Sequence, residues 1–344
     1  IGLMVSRLSV VRPVNVPATN RAVKSLLSPA HGLSGTRPHD VPALAAEPSR
    51  PTLAHGMGGD GVRIERLSTV EQYRACERLQ ARIWGASDRD VVPLHVLVTM
   101  QRNGGLVLGA FDEDDRMIGF LVGFLGAHDG DIHRPKHCSH MMGVAEEWRG
   151  RGVGRRLKLA QREHALAQGL DLVTWTYDPL ESPNAALNIG VLGGVCHTYV
   201  RDVYGAMDDG LNAGLCTDRF QIDWWIASER VKARADGAFD SRVPTACLDD
   251  AVRLNTATIG RDGLARPAAS AGSLGSPTVL VEIPLAMRAI KAADLGLARA
   301  WRAQTRELFE ACFSCGYMAS DFLRQPTGNE VRGVYVLQRE VEGG

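Results

Sequence analysis

The sequence has no excess of charge of either sign and no long apolar run. Its 344 residues carry 39 basic and 39 acidic side chains, so the formal net charge is zero. This balance provides no global attraction to nucleic acid or to an anionic membrane surface. The longest apolar runs are much shorter than the roughly 20 residues that a membrane-spanning helix requires. We therefore expect a soluble, cytoplasmic protein without nucleic-acid or membrane partners.

The cysteines are few and do not form an evident disulfide framework. There are seven, an odd number, and they are scattered along the chain. Cys312 and Cys315 have the C-x-x-C spacing, but no second pair lies at a distance typical of a zinc site. Both residues close a helical pattern of apolar side chains, which favours packed core thiols. We predict a protein of a reducing compartment with no metal.

Common nucleotide-binding motifs are also missing, although one turn is rich in glycine. Residues 150–156 read Gly-Arg-Gly-Val-Gly-Arg-Arg. A Walker loop would end in Gly-Lys-Ser or Gly-Lys-Thr, and a dinucleotide fingerprint would have the spacing G-x-G-x-x-G. The turn has neither feature. Kinase and ATPase chemistry is therefore disfavoured, and so is binding of a dinucleotide.

The same turn is nevertheless typical of an anion site. It follows apolar residues of a predicted strand, 136–144, and precedes residues with helical spacing. Glycines allow a ligand to approach the backbone, and the first amides of a helix have no acceptor within the helix. Six Arg and Lys occur within 149–162 without one acidic residue. Together these features predict a cradle for a diphosphate.

The pattern Arg149-x-x-Gly152-x-Gly154 resembles the coenzyme A loop of the GCN5-related N-acetyltransferase (GNAT) superfamily. The resemblance implies acetyl-CoA or another acyl-CoA as co-substrate. It also implies an α+β fold in which helices flank a mixed, mostly antiparallel central sheet. The implied cofactor-binding residues are Met142, Gly143, Val144, Arg149, Gly150, Arg151, Gly152, Val153, Gly154, Arg155 and Asn184.

The order of predicted elements extends this resemblance over 61–228. A strand at 62–67 precedes a helix that a capping box of Ser68 and Glu71 would start. The later elements are a helix at 93–102, a hairpin of strands 106–111 and 117–126, a strand at 170–177, a helix at 184–192, and strands at 195–204 and 219–226. This is the element order of a GNAT domain.

The regions outside that domain are less regular. Residues 1–60 are poor in acids and show no sustained period, which predicts disorder; translation from Met57 is an equal alternative. We interpret 229–276 as a linker and 277–344 as a β-α-β-β extension. The extension could cover the acceptor site or build a homodimer interface.

The segments around 139–144 and 175–180 resemble one subgroup of predicted GNAT acyltransferases. This implies a small-molecule amine as acceptor, for instance an amino acid, and an acetyl or succinyl group as the acyl unit. A base must deprotonate such an ammonium before it attacks. His140 is the first candidate because imidazole titrates in the right range. Asp178 and Glu146 are the alternatives.

The proton for the leaving thiolate has no evident source. Many GNAT domains place a tyrosine in the helix that here reads Ile-Gly-Val-Leu over 189–192. Tyr177, Tyr199 and Tyr204 are the nearby phenols, and water is a further alternative. The missing tyrosine and the long extension also suggest an acyl-CoA sensor without catalysis, and acylation of protein lysines is a third possibility. The N-acyltransferase is the leading hypothesis.

Overall fold

A mixed sheet of eleven strands runs through the described part of the chain. The computed structural model describes residues 61–84, 91–205, 214–237, 248–268, 272–327 and 330–339, which belong to one compact unit. The N-terminal segment predicted to be disordered, 1–60, lies outside the described residues. No described helix has the length and hydropathy needed to cross a membrane.

Local sequence patterns produce the elements in the expected order. The first part contains β1 (Arg63–Arg66), α1 (Val70–Trp84), α2 (Leu94–Arg102), β2 (Leu106–Phe111), β3 (Met117–His128), β4 (Asp131–Val144), α3 (Val153–Ala167) and β5 (Leu172–Tyr177). It continues with α4 (Ser182–Ala185), a π-helical turn (Ala186–Val191), β6 (Val195–Val200), β7 (Arg219–Trp225) and α5 (Glu229–Ala235).

The C-terminal part adds further strands and helices. These are β8 (Val252–Arg253), β9 (Thr256–Ile259), β10 (Ala265–Ala268), β11 (Thr278–Ile283), α6 (Met287–Ala293), α7 (Leu295–Ser314), β12 (Met318–Thr327) and β13 (Glu330–Gln338). The order in the large sheet is β1-β2-β3-β4-β5-β7-β6-β12-β13-β11-β8, with β9 and β10 as a separate pair. Most neighbours are antiparallel, so the predicted α+β class is confirmed.

The start of α1 differs from the prediction by one residue. Thr69 and Gln72 form the capping box: the Thr69 hydroxyl accepts from the Gln72 amide at 3.2 Å, and the Gln72 side-chain oxygen accepts from the Thr69 amide at 3.1 Å. The box expected from Ser68 and Glu71 is therefore wrong. Gln and Glu are equivalent in this motif, so the sequence permitted both alignments.

Helices cover the two faces of the N-terminal sheet because β2 alternates its side chains between them. Leu106 and Leu108 face the core under α3, whereas Val107 faces the core under α1 and α2. All three are fully buried. Successive side chains of a strand point to opposite faces, so one apolar strand serves both layers.

The sheet opens between β4 and β5. These strands are parallel and pair through His137 with Val173 and Cys138 with Thr174. Beyond that point, within the described residues, β4 continues to pair only with β3, while β5 pairs with β7. A cleft therefore separates residues 139–144 from residues 175–177. It lies on the side of α3 where that helix begins.

The C-terminal extension continues the same sheet. β12 pairs with β6 through Ala319 and Cys196, and β13 and β11 follow. An aromatic cluster at this junction joins Phe220 of β7 with Phe309 of α7 and Tyr335 of β13 at ring distances of 4.6 and 5.5 Å. The extension thus packs into the same hydrophobic core as β7.

Candidate active site

The glycine-rich turn before α3 has an open backbone. Gly150 and Gly152 adopt positive φ angles of 76° and 80°, and a Cβ atom on either would meet nothing within 4 Å. Gly152 is the N-cap of α3 and supplies no side-chain acceptor. Val153 and Gly154 lie in the first turn of α3, where backbone amides have no acceptor within the helix. A left-handed backbone ahead of a helix N-terminus is a suitable arrangement for phosphate oxygens.

Two of the arginines in this region border the turn. The Arg149 Nε donates to the Val144 carbonyl at 3.3 Å, and the Arg149 side chain is exposed. The Arg151 guanidinium lies 4.9 Å from the centre of the Trp148 ring. Both keep donors open to solvent beside the glycines, so both could bind a diphosphate.

The next two arginines instead fasten α3 to other elements. The Arg155 guanidinium donates to the Ala235 carbonyl at 2.7 Å, at the C-terminal end of α5. The Arg156 guanidinium donates to the Val62 carbonyl at 2.6 Å, just before β1. Arg155 was predicted to bind the cofactor through its position in the motif. In the fold its guanidinium has a structural partner, and only its backbone amide faces the turn.

Met142, Gly143 and Val144 form the β4 wall of the cleft. Gly143 pairs with Phe120 of β3, and a Cβ atom at Gly143 would lie 2.7 Å from the Ile83 side chain. The Met142 side chain approaches Gly154, where an added Cβ would lie 3.5 Å from its Cε. The predicted backbone site on β4 is therefore continuous with the start of α3.

Asn184 lies on α4, whose first residues follow β5. Its backbone amide donates to the Glu181 carbonyl at 2.9 Å, and Glu181 is the N-cap of the helix. Asn184 is therefore inside the first turn, and its side chain is exposed. The π-helical turn that follows widens the helix; such turns are frequent at functional sites.

His140 occupies a bulge of β4 at the mouth of the cleft. Val122 pairs with Met141 and Gly123 pairs with Ser139, so His140 is the extra residue. Its ring lies 5.9 Å from the ring of Phe124. The side chain is exposed at its edge, yet loss of hydration around the ring lowers the pKa of His140. A neutral imidazole at neutral pH can accept a proton.

The three candidate phenols have different surroundings. Tyr177 is buried, and its hydroxyl lies 3.0 Å from that of Tyr335. The Tyr199 hydroxyl donates to Asp218 at 2.7 Å, and burial raises the pKa of this phenol. Tyr204 alone among the three is exposed, with its hydroxyl 3.2 Å from the Thr176 hydroxyl on the β5 wall of the cleft.

The two candidate carboxylates also differ. Both oxygens of Asp178 have partners: one accepts from the Leu180 amide at 2.9 Å, and the other accepts from the Arg302 guanidinium at 2.5 Å. Arg302 belongs to α7, so Asp178 connects the end of β5 to the extension. Glu146 is exposed in a short turn after β4.

The structure brings two further polar groups to the cleft that the sequence reasoning missed. Lys158 of α3 is only 2% exposed, and its Nζ lies 2.8 Å from the Ser139 hydroxyl. Asp223 of β7 is buried opposite Thr174, and burial raises the pKa of its carboxyl. A charged residue inside an otherwise apolar helix face or strand is a signal that could have identified both.

A family model matches the part of the chain that contains the glycine-rich turn and the cleft. Residues 70–187 match the family model described as Acetyltransferase (GNAT) family. This part of the chain is therefore similar to GNAT acetyltransferases, which supports N-acyltransferase activity. The search of curated proteins found no match.

Solved structures similar to this chain include several acetyltransferases. The NatC complex bound to Gag peptide and CoA has 17% identity, coverage of 47% of this chain and 96% of that chain, and a TM-score of 0.38. An aminoglycoside acetyltransferase from an uncultured soil metagenomic sample has 17% identity, coverage of 38% and 86%, and a TM-score of 0.34. The ribosomal-protein-S18-alanine N-acetyltransferase of Escherichia coli has 15% identity, coverage of 49% and 97%, and a TM-score of 0.38.

Proposed function

We propose that this enzyme transfers an acetyl or succinyl group from coenzyme A to the amine of a small molecule, such as an amino acid. The acceptor attacks the thioester directly while both substrates are bound. The observation that carries the proposal is the continuity of the Gly150–Gly154 turn with the cleft beside β4. A diphosphate at the turn would leave the pantetheine arm at the free edge of that strand.

The arm is expected to pair with β4 as an added strand would. Residues 139–144 have backbone groups on the cleft side without a β partner among the described residues. Extended ligands bind such edges through main-chain hydrogen bonds. An amide near Gly143 or Val144 would then donate to the thioester oxygen, where one such donor contributes about 10²-fold or more to the rate.

His140 and Tyr204 are assigned to the acceptor side. His140 would take the proton from the ammonium, directly or through water, since the low pKa of its imidazole keeps it neutral. Tyr204 would contact the acceptor through its hydroxyl beside Thr176. Tyr199 and Asp178 are left out of the reaction because their polar atoms already bind other protein groups.

Free-thiol release provides the direct test. Purified protein is incubated with acetyl-CoA or succinyl-CoA and a panel of small amines, and released CoA is measured together with the acylated product. We expect thiol release that depends on one class of amine. Binding of acyl-CoA without thiol release for any amine would favour the sensor, and acylated protein lysines in place of small products would favour a protein substrate.

The role of His140 has its own test within that assay. We expect His140→Gln to remove the fall of kcat/KM at low pH, because the titrating base is then absent. CoA affinity, measured by calorimetry, serves as the control for folding. An unchanged pH profile would eliminate His140 as the base.

A further inference from the structure

A buried lysine lies at the vertex of the cleft and has no role in the function proposed so far. Cys138 and Thr174 are the last paired residues of β4 and β5, so Ser139 and Trp175 are the first residues on the separated strands. The Lys158 Nζ bridges them: it lies 2.8 Å from the Ser139 hydroxyl and 3.6 Å from the centre of the Trp175 ring.

Within the described ranges, this lysine has no negatively charged partner. Its Nζ also donates to the side-chain oxygen of Gln161, a neutral acceptor, at 3.2 Å. No carboxylate among the described residues forms an ion pair with it, and burial lowers the pKa of Lys158 well below its usual range. A buried ammonium without a counter-ion is costly, so such a lysine is a candidate for function.

The titratable groups around Lys158 do not compensate its charge. His137 and His164 lie beside it under α3, with their rings 5.9 Å apart. Burial, His164 and Lys158 together lower the pKa of His137 to about 3, so His137 is neutral under ordinary conditions. With Lys158 protonated, the cluster carries positive charge and would stabilise an anion in the cleft.

The leaving group of the proposed reaction, the coenzyme A thiolate, is an anion that forms in this cleft. If the diphosphate lies at the start of α3 and the arm follows β4 toward its bulge, the thioester end approaches the vertex. Ser139 is 7% exposed and is the first residue of β4 beyond its pairing with β5. No phenol in the helix after β5 is available to protonate the thiolate, because 189–192 contain none.

We propose that the Ser139 hydroxyl protonates the departing coenzyme A thiolate and that Lys158 replaces the proton on Ser139. This inference rests on the proposed N-acyl transfer. As the acceptor nitrogen bonds to the acyl carbon, the electron pair of the C–S bond moves to sulfur. The bound ammonium first gives one proton to His140, which passes it to solvent before the attack. The nitrogen gives a second proton to His140 as the amide forms, and sulfur gains one proton from Ser139. Lys158 ends neutral and regains its proton from solvent, while His140 releases the proton it received.

Burial suits Lys158 to this step. An ordinary lysine, with a pKa of about 10.4, is a weak acid toward a thiolate whose conjugate acid has a pKa of about 8.5. Burial lowers the pKa of Lys158, which makes its ammonium a stronger acid toward the thiolate. The oxygens of Ser139 and Gln161 and the ring of Trp175 hold the ammonium before the transfer. The negative charge that develops on sulfur in turn favours the protonated amine until the proton moves.

The test compares two leaving groups. Acetyl-CoA is assayed beside its selenoester analogue, whose selenol is more acidic and departs without protonation. We expect Lys158→Met and Ser139→Ala to lose about 100-fold or more in kcat with the thioester. Both should recover most of that loss with the selenoester. CoA affinity should stay near the wild-type value, because the diphosphate turn is separate, and this serves as the check on folding.

Two further variants sharpen the result. Lys158→Arg keeps a positive charge but cannot give up its proton, so it should remain slow with the thioester. Full activity of Lys158→Arg would mean that charge alone suffices and would overturn the proton transfer. Tyr204→Phe is the matched phenol variant: its ratio of selenoester to thioester rates should equal that of wild type. Recovery by the selenoester only in Tyr204→Phe would assign the proton to Tyr204 instead.

The outcomes also separate this inference from the proposed function. Normal turnover in Lys158→Met and Ser139→Ala would reject the inference and leave the acyl transfer intact. Absence of thiol release in the wild-type protein with every amine would reject both, since no thiolate would form. Equal losses with both leaving groups in properly folded variants would indicate a structural role and overturn the proposal.

Discussion

A buried histidine on β4 makes the free energy of unfolding depend on pH. His137 of β4 is fully buried, and among the described residues neither of its ring nitrogens has a hydrogen-bond partner. Its pKa of about 3 in the folded chain lies below the value of about 6.5 expected in the unfolded chain. The unfolded state therefore binds more protons between these values, and stability must rise with pH across this window.

We predict that His137→Phe weakens this dependence. From pH 6.5 down toward 3, His137 should cost the folded state about 1.4 kcal/mol per pH unit, and a phenylalanine cannot take up a proton. The measurement is urea unfolding at several pH values for both proteins. His133→Phe, at an exposed site, is the control and should retain the wild-type slope. Equal slopes for His137→Phe and wild type would contradict the prediction.

At the level of single elements, α3 is bounded by two glycines with similar geometry and different surroundings. Gly152 precedes the helix with φ of 80°, and Gly169 follows it with φ of 75°. In both places an added Cβ would meet nothing within 4 Å, so the cost of an alanine comes from the left-handed backbone. Only Gly152 belongs to the proposed diphosphate turn.

This symmetry allows a matched pair of variants. Gly152→Ala and Gly169→Ala should each lower the free energy of unfolding by about 1–2 kcal/mol, the usual cost of a left-handed conformation for a residue with a Cβ atom. Only Gly152→Ala should also weaken CoA binding, because its methyl group occupies the space intended for phosphate. Denaturant unfolding and calorimetry measure the two effects. Similar CoA affinities in the two variants would argue against the turn as the diphosphate site.

At the scale of the whole molecule, buried ion pairs join the C-terminal extension to the GNAT part. Arg306 of α7 donates to the two carboxylate oxygens of the fully buried Asp218, from its Nε at 2.7 Å and from its Nη2 at 2.9 Å. Arg302 of the same helix binds Asp178 at the end of β5. The extension also covers the β6 edge of the sheet, which would otherwise offer unpaired backbone groups.

We therefore predict that residues 61–228 do not form a stable protein alone. Removing the partner of a buried charge costs about 3–5 kcal/mol, and the loss of α7 would also expose the aromatic cluster around Phe220. A chain ending at Ser228 should be insoluble or should lack a cooperative unfolding transition. A chain that begins at Met57 is the control and should unfold as the full chain does. A soluble, cooperatively folded 61–228 fragment would refute the prediction.

Local sequence was sufficient to predict most elements and the glycine-rich turn between β4 and α3. The spacing of Arg149, Gly152 and Gly154 is contiguous, and a strand, a turn and a helix follow from neighbouring residues. The hairpin of β2 and β3 and the long helix in the extension were predictable for the same reason. Where two alignments of a local motif were equally good, as at the start of α1, the sequence alone could not choose.

Tertiary structure decided which side chains could take part in the chemistry. The sequence presents Arg149, Arg151 and Arg155 as equivalent cations, but only the fold brings the Ala235 carbonyl to Arg155. Likewise Lys158 follows a leucine in an ordinary basic helix, and its burial against Ser139 and Trp175 depends on strands distant in the chain. The charge, the pKa and the solvent access of each of these side chains depend on neighbours that are remote in sequence. A local sequence pattern does not show how those neighbours pack.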